Sequence, residues 1–475
     1  MFGTMASSSL KNKFFLGHSF QCVVLHGPAR LVSSIGGGLT DVVAIYTVSE
    51  TYVSAGALLR SARRGKLTGG ANHVTGEDLL SLGTAFARIG IATAAVVLLV
   101  DVPTLLLRRK ALGAKRGGVP VRVDRVGDAG DGTYVVVGPS TLSNHPGNMV
   151  LWDRTKTRSV LLGPPESAAE DQGLVQRRVQ SELPPDLFRW KSAFLYGHIG
   201  KTPADLDLAF EDIKLGERAF PAWMVRSPLA QADSERWAIH IHGLGGARNQ
   251  TLRGLSVFAR KGFHSLVPSY DVSLEVRGRR KQSTLGLREW RAIAEAQDYA
   301  VRQGATQIVY VGWSFGALLA LRVRQEKLSH LVTGLVLVSP ALDWHKIVPQ
   351  AMRRAGLPRL IVRLVMSRFN SVIPRWGCPK TAWEEENHCV SGSAAIPVLV
   401  THGAADTTVP LEHARQTIQG LKGRVQFVDF PGAQHGLEWN SNPTLWESTV
   451  EGWLGSHASG GLQPDVTLGL SGEGA

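Results

Sequence analysis

Apolar positions keep two different periods along this chain. Between residues 119 and 181 they fall in short stretches: V-P-V-R-V-D-R-V, T-Y-V-V-V, M-V-L-W-D and S-V-L-L-G. The first two alternate at period two, as half-buried strands do, with Gly127 to Gly132 as the turn between them. From about Asp207 to His457 the pattern becomes strand then helix, repeatedly. Runs of Val, Ile and Leu occur at Ala238–Ile241, His264–Pro268, Gln307–Gly312, Val332–Ser339, Pro397–Thr401 and Val425–Phe430. Helix-period stretches separate them at Thr251–Lys261, Leu285–Gln303 and Leu411–Leu421. Continuous apolar strands alternating with amphipathic helices predict a doubly wound, mostly parallel sheet covered on both faces. The reactive loops of such a domain lie at the carboxyl ends of its strands.

One stretch follows neither period. Ile89 to Leu107 is apolar over nineteen residues, long enough to cross a bilayer as a helix, with Arg88 before it and Arg108, Arg109 and Lys110 after. It is expected to be a single membrane span, with Asp101 the residue that fits it worst. The chain therefore divides into an N-terminal segment of unassigned role (1–80), a transmembrane helix (81–110), a small β-rich region (111–185), the doubly wound domain (186–456) and a disordered tail (457–475).

Composition narrows the classes. The 475 residues are 44% hydrophobic and 19% charged, which excludes a wholly disordered chain. Three cysteines exclude a disulfide-dense scaffold. The net charge of +13 raises a nucleic-acid partner, but residues 1–120 carry +8 of it and much of that flanks the apolar run. The expected partner is a membrane, with no nucleic acid.

The chemistry sits at strand ends. G-W-S-F-G, Gly312 to Gly316, directly follows one strand and opens a helix. A turn that presents Ser314 needs glycine two residues to either side, because side chains there would clash. A serine hydroxyl needs a base, an orienting carboxylate and donors for the developing oxyanion. H-G-L-G-G at His242 to Gly246, Asp406 in T-H-G-A-A-D and His435 in G-A-Q-H-G all follow strands. Asp343 also follows a strand and is the alternative acid. His402 is read as structural, His240 and His242 as hydrogen-bonding rather than metal-binding, and Asp271 as a brace for its loop. Cys378 and Cys389 allow a disulfide; with His388 their spacing fits no standard zinc site.

The order Ser314, Asp406, His435, together with P-A-W-M-V, I-H-G-L-G-G-A-R, P-S-Y-D, L-G-L-R-E-W and P-A-L-D-W, resembles membrane-anchored bacterial α/β-hydrolases over Leu206 to Gly455. Ala317 stands where a second glycine is usual. The resemblance implies Ser314 as nucleophile, His435 as base and Asp406 as its orienter. It places the oxyanion hole at the backbone N–H groups of Leu244 and Phe315. It implies a serine hydrolase acting on the ester or thioester of a small-molecule or lipid-like acyl substrate through an acyl-enzyme, with no metal or organic cofactor. His242, Gly243 and Trp313 are expected against the substrate, Phe315 beside Trp313 in the pocket wall, and a basic amphipathic lid over residues 343–395. The rival readings are a peptidase of prolyl oligopeptidase type and a catalytically silent membrane scaffold.

Overall fold

The computed structural model describes residues 80, 81, 83–88, 90, 91 and 100–458, apart from 114–117, 131, 167–172, 231–234, 274, 277–281, 328–329, 370–395 and 422. Residues 1–92 and 93–475 form separate compact units, and the architecture below is that of the second.

Six strands close a barrel: β1 (Val119–Ala129), β2 (Gly132–Val137), β3 (Met149–Trp152), β4 (Ser159–Glu166), β5 (Val175–Val179) and β6 (Ser192–Tyr196), in the order β1-β2-β5-β4-β3-β6. Every pairing is antiparallel. Closure leaves no open sheet edge and buries alternate residues such as Val121, Val135, Leu151 and Leu195 in one core. The sequence placed a boundary at 185. The barrel overruns it, because β6 is needed to bridge β1 and β3.

The second sheet has eight strands: β7 (Phe210–Leu215), β8 (Phe220–Val225), β9 (Arg236–Ile241), β10 (His264–Pro268), β11 (Gln307–Trp313), β12 (Val332–Val338), β13 (Val398–Gly403) and β14 (Val425–Phe430). Their order is β14-β13-β12-β11-β9-β10-β8-β7, with β9 to β14 mutually parallel and β7 and β8 antiparallel. This is the doubly wound sheet expected, extended by an antiparallel pair at one edge. Along β11, Ile308 and Tyr310 enter one core cluster while Val309, Val311 and Trp313 enter another, so both faces are covered.

The expected membrane span falls only partly on described residues. Among the described residues no helix is long and apolar enough to cross a bilayer, and residues 92–99 of the run lie outside them. The end of the run opens α1 (Val102–Leu112), which packs on the domain of the eight-stranded sheet with Leu112 in its core. Arg108 is buried, donating to Gln282 Oε1 at 3.2 Å and to the Phe369 carbonyl at 2.8 Å. Asp101, the poor fit to a bilayer, pairs with Arg368 at 3.1 Å. Its polar partners are protein groups, which is why an apolar helix here can carry charge.

A strip of backbone bolts the barrel to the domain of the eight-stranded sheet. Asn148 N–H donates to the Asn440 carbonyl at 2.8 Å, and Asn440 Nδ2 donates back to Asn148 O at 2.9 Å and to Gly197 O at 3.0 Å. Gly147 lies so close that an added Cβ would sit 1.9 Å from the Asn440 carbonyl oxygen. Buried Arg177 ties that strip down from inside the barrel, donating to the carbonyls of Ser143, His145 and Gly147.

Candidate active site

Ser314 terminates β11 and precedes α4 (Phe315–Glu326); here α2 is Leu252–Arg260 and α3 is Trp290–Arg302. Its backbone is strained, with φ +53° and ψ −112°. The two glycines are required sterically. A Cβ at Gly312 would lie 2.6 Å from Ala317, and one at Gly316 would lie 2.2 Å from the Ile241 carbonyl oxygen. The turn is pinned by Ser314 N–H donating to Val338 O at 2.8 Å. Ala317 is accommodated, fully buried, without displacing it.

His435 Nε2 lies 2.8 Å from Ser314 Oγ, and its Nδ1 lies 2.6 Å from Asp406 Oδ2. The other Asp406 oxygen accepts from the N–H groups of Thr408 (2.7 Å) and Val409 (2.9 Å). Burial alone would raise this carboxyl's pKa. The neighbouring His435 and these hydrogen bonds outweigh burial and hold it below its ordinary value, so it stays an anion. Asp343 is elsewhere: its carboxylate caps α5 (Trp344–Arg354) by accepting from Lys346 N–H at 3.2 Å. His402 braces the Asp406 loop through Val409 O at 2.8 Å, and burial keeps its pKa low. Asp271 braces its own loop against Arg218 at 2.5 Å.

The loop after β9 faces the serine from the other side. Gly243 and Leu244 line the cavity with Ser314 and His435. Phe315 N–H belongs to the first turn of α4, where helix donors have no intrahelical partner. Three other expectations fail on burial. Trp313 is fully buried on the opposite face of the sheet, sandwiched between Trp446 and the Arg253 guanidinium. The Phe315 side chain is buried against Tyr270 and Trp344 and does not wall the cavity. His242 is buried too, its ring stacked on Tyr270 at 4.2 Å, and burial drives its pKa down to about 4.

Several positioning groups carry no sequence signal of their own. Gln250 Oε1 accepts from Gly243 N–H at 2.7 Å, and the Tyr270 hydroxyl donates to Gly243 O at 2.7 Å. On the histidine side, Ser339 Oγ accepts from Gly436 N–H at 2.9 Å and bonds buried Glu438. Burial raises the Glu438 carboxyl to about 7, which the Ser339 bond only partly offsets. Arg253 holds the same loop through Gly436 O at 2.6 Å.

These groups open on a cavity of about 760 Å³. One wall is α5, which presents Trp344, Ile347, Val348, Ala351, Met352 and Ala355 at helical spacing. Residues 343–395, expected as a lid, include α5, Leu357 and the following helix α6 (Arg359–Arg368); α5 and Leu357 line the cavity together with Leu107 and Ala111 of α1. The opposite wall is the barrel, with Trp152, Lys156 and Tyr196, followed by His198 and Lys201. Cys378, His388 and Cys389 lie outside the described residues. Among the described residues no cluster of His, Cys, Asp or Glu could hold a metal ion.

No family model and no curated protein matches the chain. Solved structures that overlay on it include the esterase Pf2001 of Pyrococcus furiosus, at 19% identity and TM-score 0.42, covering 54% of this chain and 96% of that one. Est1E of Butyrivibrio proteoclasticus with bound ferulic acid overlays at 18% identity and TM-score 0.40, over 52% and 99%. A putative lipase of Acinetobacter baumannii overlays at 14% identity and TM-score 0.40, over 55% and 98%.

Proposed function

We propose that this chain is a serine hydrolase that cleaves a carboxylic ester or thioester through an acyl-enzyme. One observation carries the reading: a single imidazole bridges the strained Ser314 hydroxyl at 2.8 Å and a buried, hydrogen-bonded carboxylate at 2.6 Å. His435 Nε2 takes the proton as Ser314 Oγ attacks the carbonyl carbon, and Asp406 stabilises the resulting imidazolium. The N–H groups of Leu244 and Phe315 receive the oxyanion. His435 then gives its proton to the leaving oxygen or sulfur. It next removes one from water, which attacks the acyl-enzyme and frees the acid and Ser314.

The apolar faces of α5 and α1 suit an acyl chain. The six-stranded barrel is a single closed sheet with no repeated blades, which weighs against the propeller-bearing peptidases. A fluorophosphonate probe is expected to label Ser314, and a panel of esters and thioesters from acetyl to palmitoyl to show turnover absent from Ser314→Ala. Full activity in Ser314→Ala would overturn the reading. Failure of both labelling and turnover would favour the silent scaffold.

A further inference from the structure

The barrel wall differs in kind from the rest of the cavity lining. Lys156 and Lys201 line it, and no Asp or Glu does. Lys156 occupies the β3–β4 turn at φ +58°, a left-handed position that a non-glycine residue adopts at some cost. The turn is fixed in that shape because the Asp153 carboxylate accepts from the N–H groups of Thr157 (2.7 Å) and Arg158 (3.0 Å). Its ammonium lies over the rings of Phe194 and Tyr196, at 4.9 and 5.1 Å from their centroids. Lys201 lies over Trp152 at 5.1 Å and donates to Thr157 O at 2.8 Å, so both cations are built onto the same turn. Neither has a carboxylate partner among the described residues. His198 adds no charge, since burial lowers its pKa to about 3.

Resting on the hydrolase reading, we infer that this wall is a subsite for the anionic end of an amphiphilic ester. The apolar end lies along α5 and α1, and the scissile carbonyl lies between them at Ser314. Two ammonium groups with no ion-paired carboxylate among the described residues match a phosphate group of about −1.5 to −2. The predicted substrate is therefore an acyl ester carrying a phosphate group.

The test compares 1-octanoylglycerol 3-phosphate with 1-octanoylglycerol, identical except for the phosphate. Binding to Ser314→Ala is measured by calorimetry, so that no hydrolysis intervenes. The phosphate ester is expected to bind about tenfold or more tightly, the advantage shrinking as salt is added. Adding Lys156→Ala and Lys201→Ala should bring the affinity ratio near one, while Lys156→Arg with Lys201→Arg preserves it. Equal affinity for the two esters, no binding of the phosphate ester at millimolar concentration, or a ratio that survives the double alanine change would overturn the subsite. Fluorophosphonate labelling of the wild-type chain tests the hydrolase reading separately: a labelled Ser314 with equal affinities sinks the subsite alone.

Discussion

At the ends of β11, β13 and β14 the groups around Ser314 are locked by hydrogen bonds between adjacent loops of one sheet, whereas the barrel wall reaches the same cavity from a separate sheet. The first region has little freedom. Ser314, His435 and Asp406 form an unbroken chain of short contacts, and each loop is held by a further buried donor or acceptor. The second region reaches the cavity through one turn and two long side chains on aromatic rings. Bond-making needs sub-ångström placement, which neighbouring strand ends supply. Choosing among substrates needs only charge and shape, which a docked barrel can provide.

The largest effect should come from breaking the rigid region. Ser314→Ala is expected to lower kcat by about 10⁴-fold or more, with the thermal midpoint little changed. Next is Glu438→Gln, read as stability against pH. A carboxyl whose pKa rises from 4.5 to about 7 on folding binds its proton more tightly in the native state. The stability linked to it is complete below about pH 4.5 and is lost as the pH climbs through 7. Removing the ionisation should therefore stabilise the chain by roughly 2–4 kcal/mol at pH 8–9, and the linked difference should vanish near pH 4. Denaturant melts at both pH values check this; an equal change at both would show that Glu438 acts only through packing.

The barrel's attachment is the next place to press. Gly147→Ala drives a methyl into the Asn440 carbonyl and is expected to cost about 1–3 kcal/mol. It should also lower kcat, because Asn440 and Ser441, which it displaces, belong to the segment that leads on from His435. Gly138→Ala, whose added Cβ meets nothing nearer than 3.8 Å, should stay within about 0.5 kcal/mol of wild type. The smallest effect concerns the apolar wall. Met352→Ala should lower kcat/KM for octanoyl esters by roughly tenfold relative to acetyl esters. A uniform loss across chain lengths would place the acyl chain elsewhere.

Legibility in the sequence follows the same divide. Two parallel strands, His264–Pro268 and Val425–Phe430, end where their apolar runs end, and Ser314, Asp406 and His435 stand at strand ends in the order read. Those signals are local, since a buried strand must be apolar and a tight turn must have glycine. β7 and β8 escaped the reading because no helix-period stretch separates them and F-E-D-I-K-L mixes charged with apolar residues. Trp313 and Phe315 misled because flanking the nucleophile in sequence sends side chains to opposite faces of the sheet, not into the cavity. α1 misled for a related reason. Its Leu107, Ala111 and Leu112 pack on protein, a surrounding that composition alone does not separate from lipid. The barrel's lysines had no motif at all, because their meaning arises only where two sheets meet.

The strip that fastens the barrel also sets a problem of assembly. Asn148 and Asn440 are 292 residues apart, and Gln434 reaches back 293 residues to Thr141. A chain made from its N-terminus can close the barrel long before its partner segment exists. Until then the Asn148 N–H and the carbonyls of Thr141 and Asn148 lack these partners. Contacts of such separation slow the final docking step. A chain cut short before Asn440 would lose the residues that clamp the barrel and the helix that follows, and would leave this edge open to neighbouring molecules.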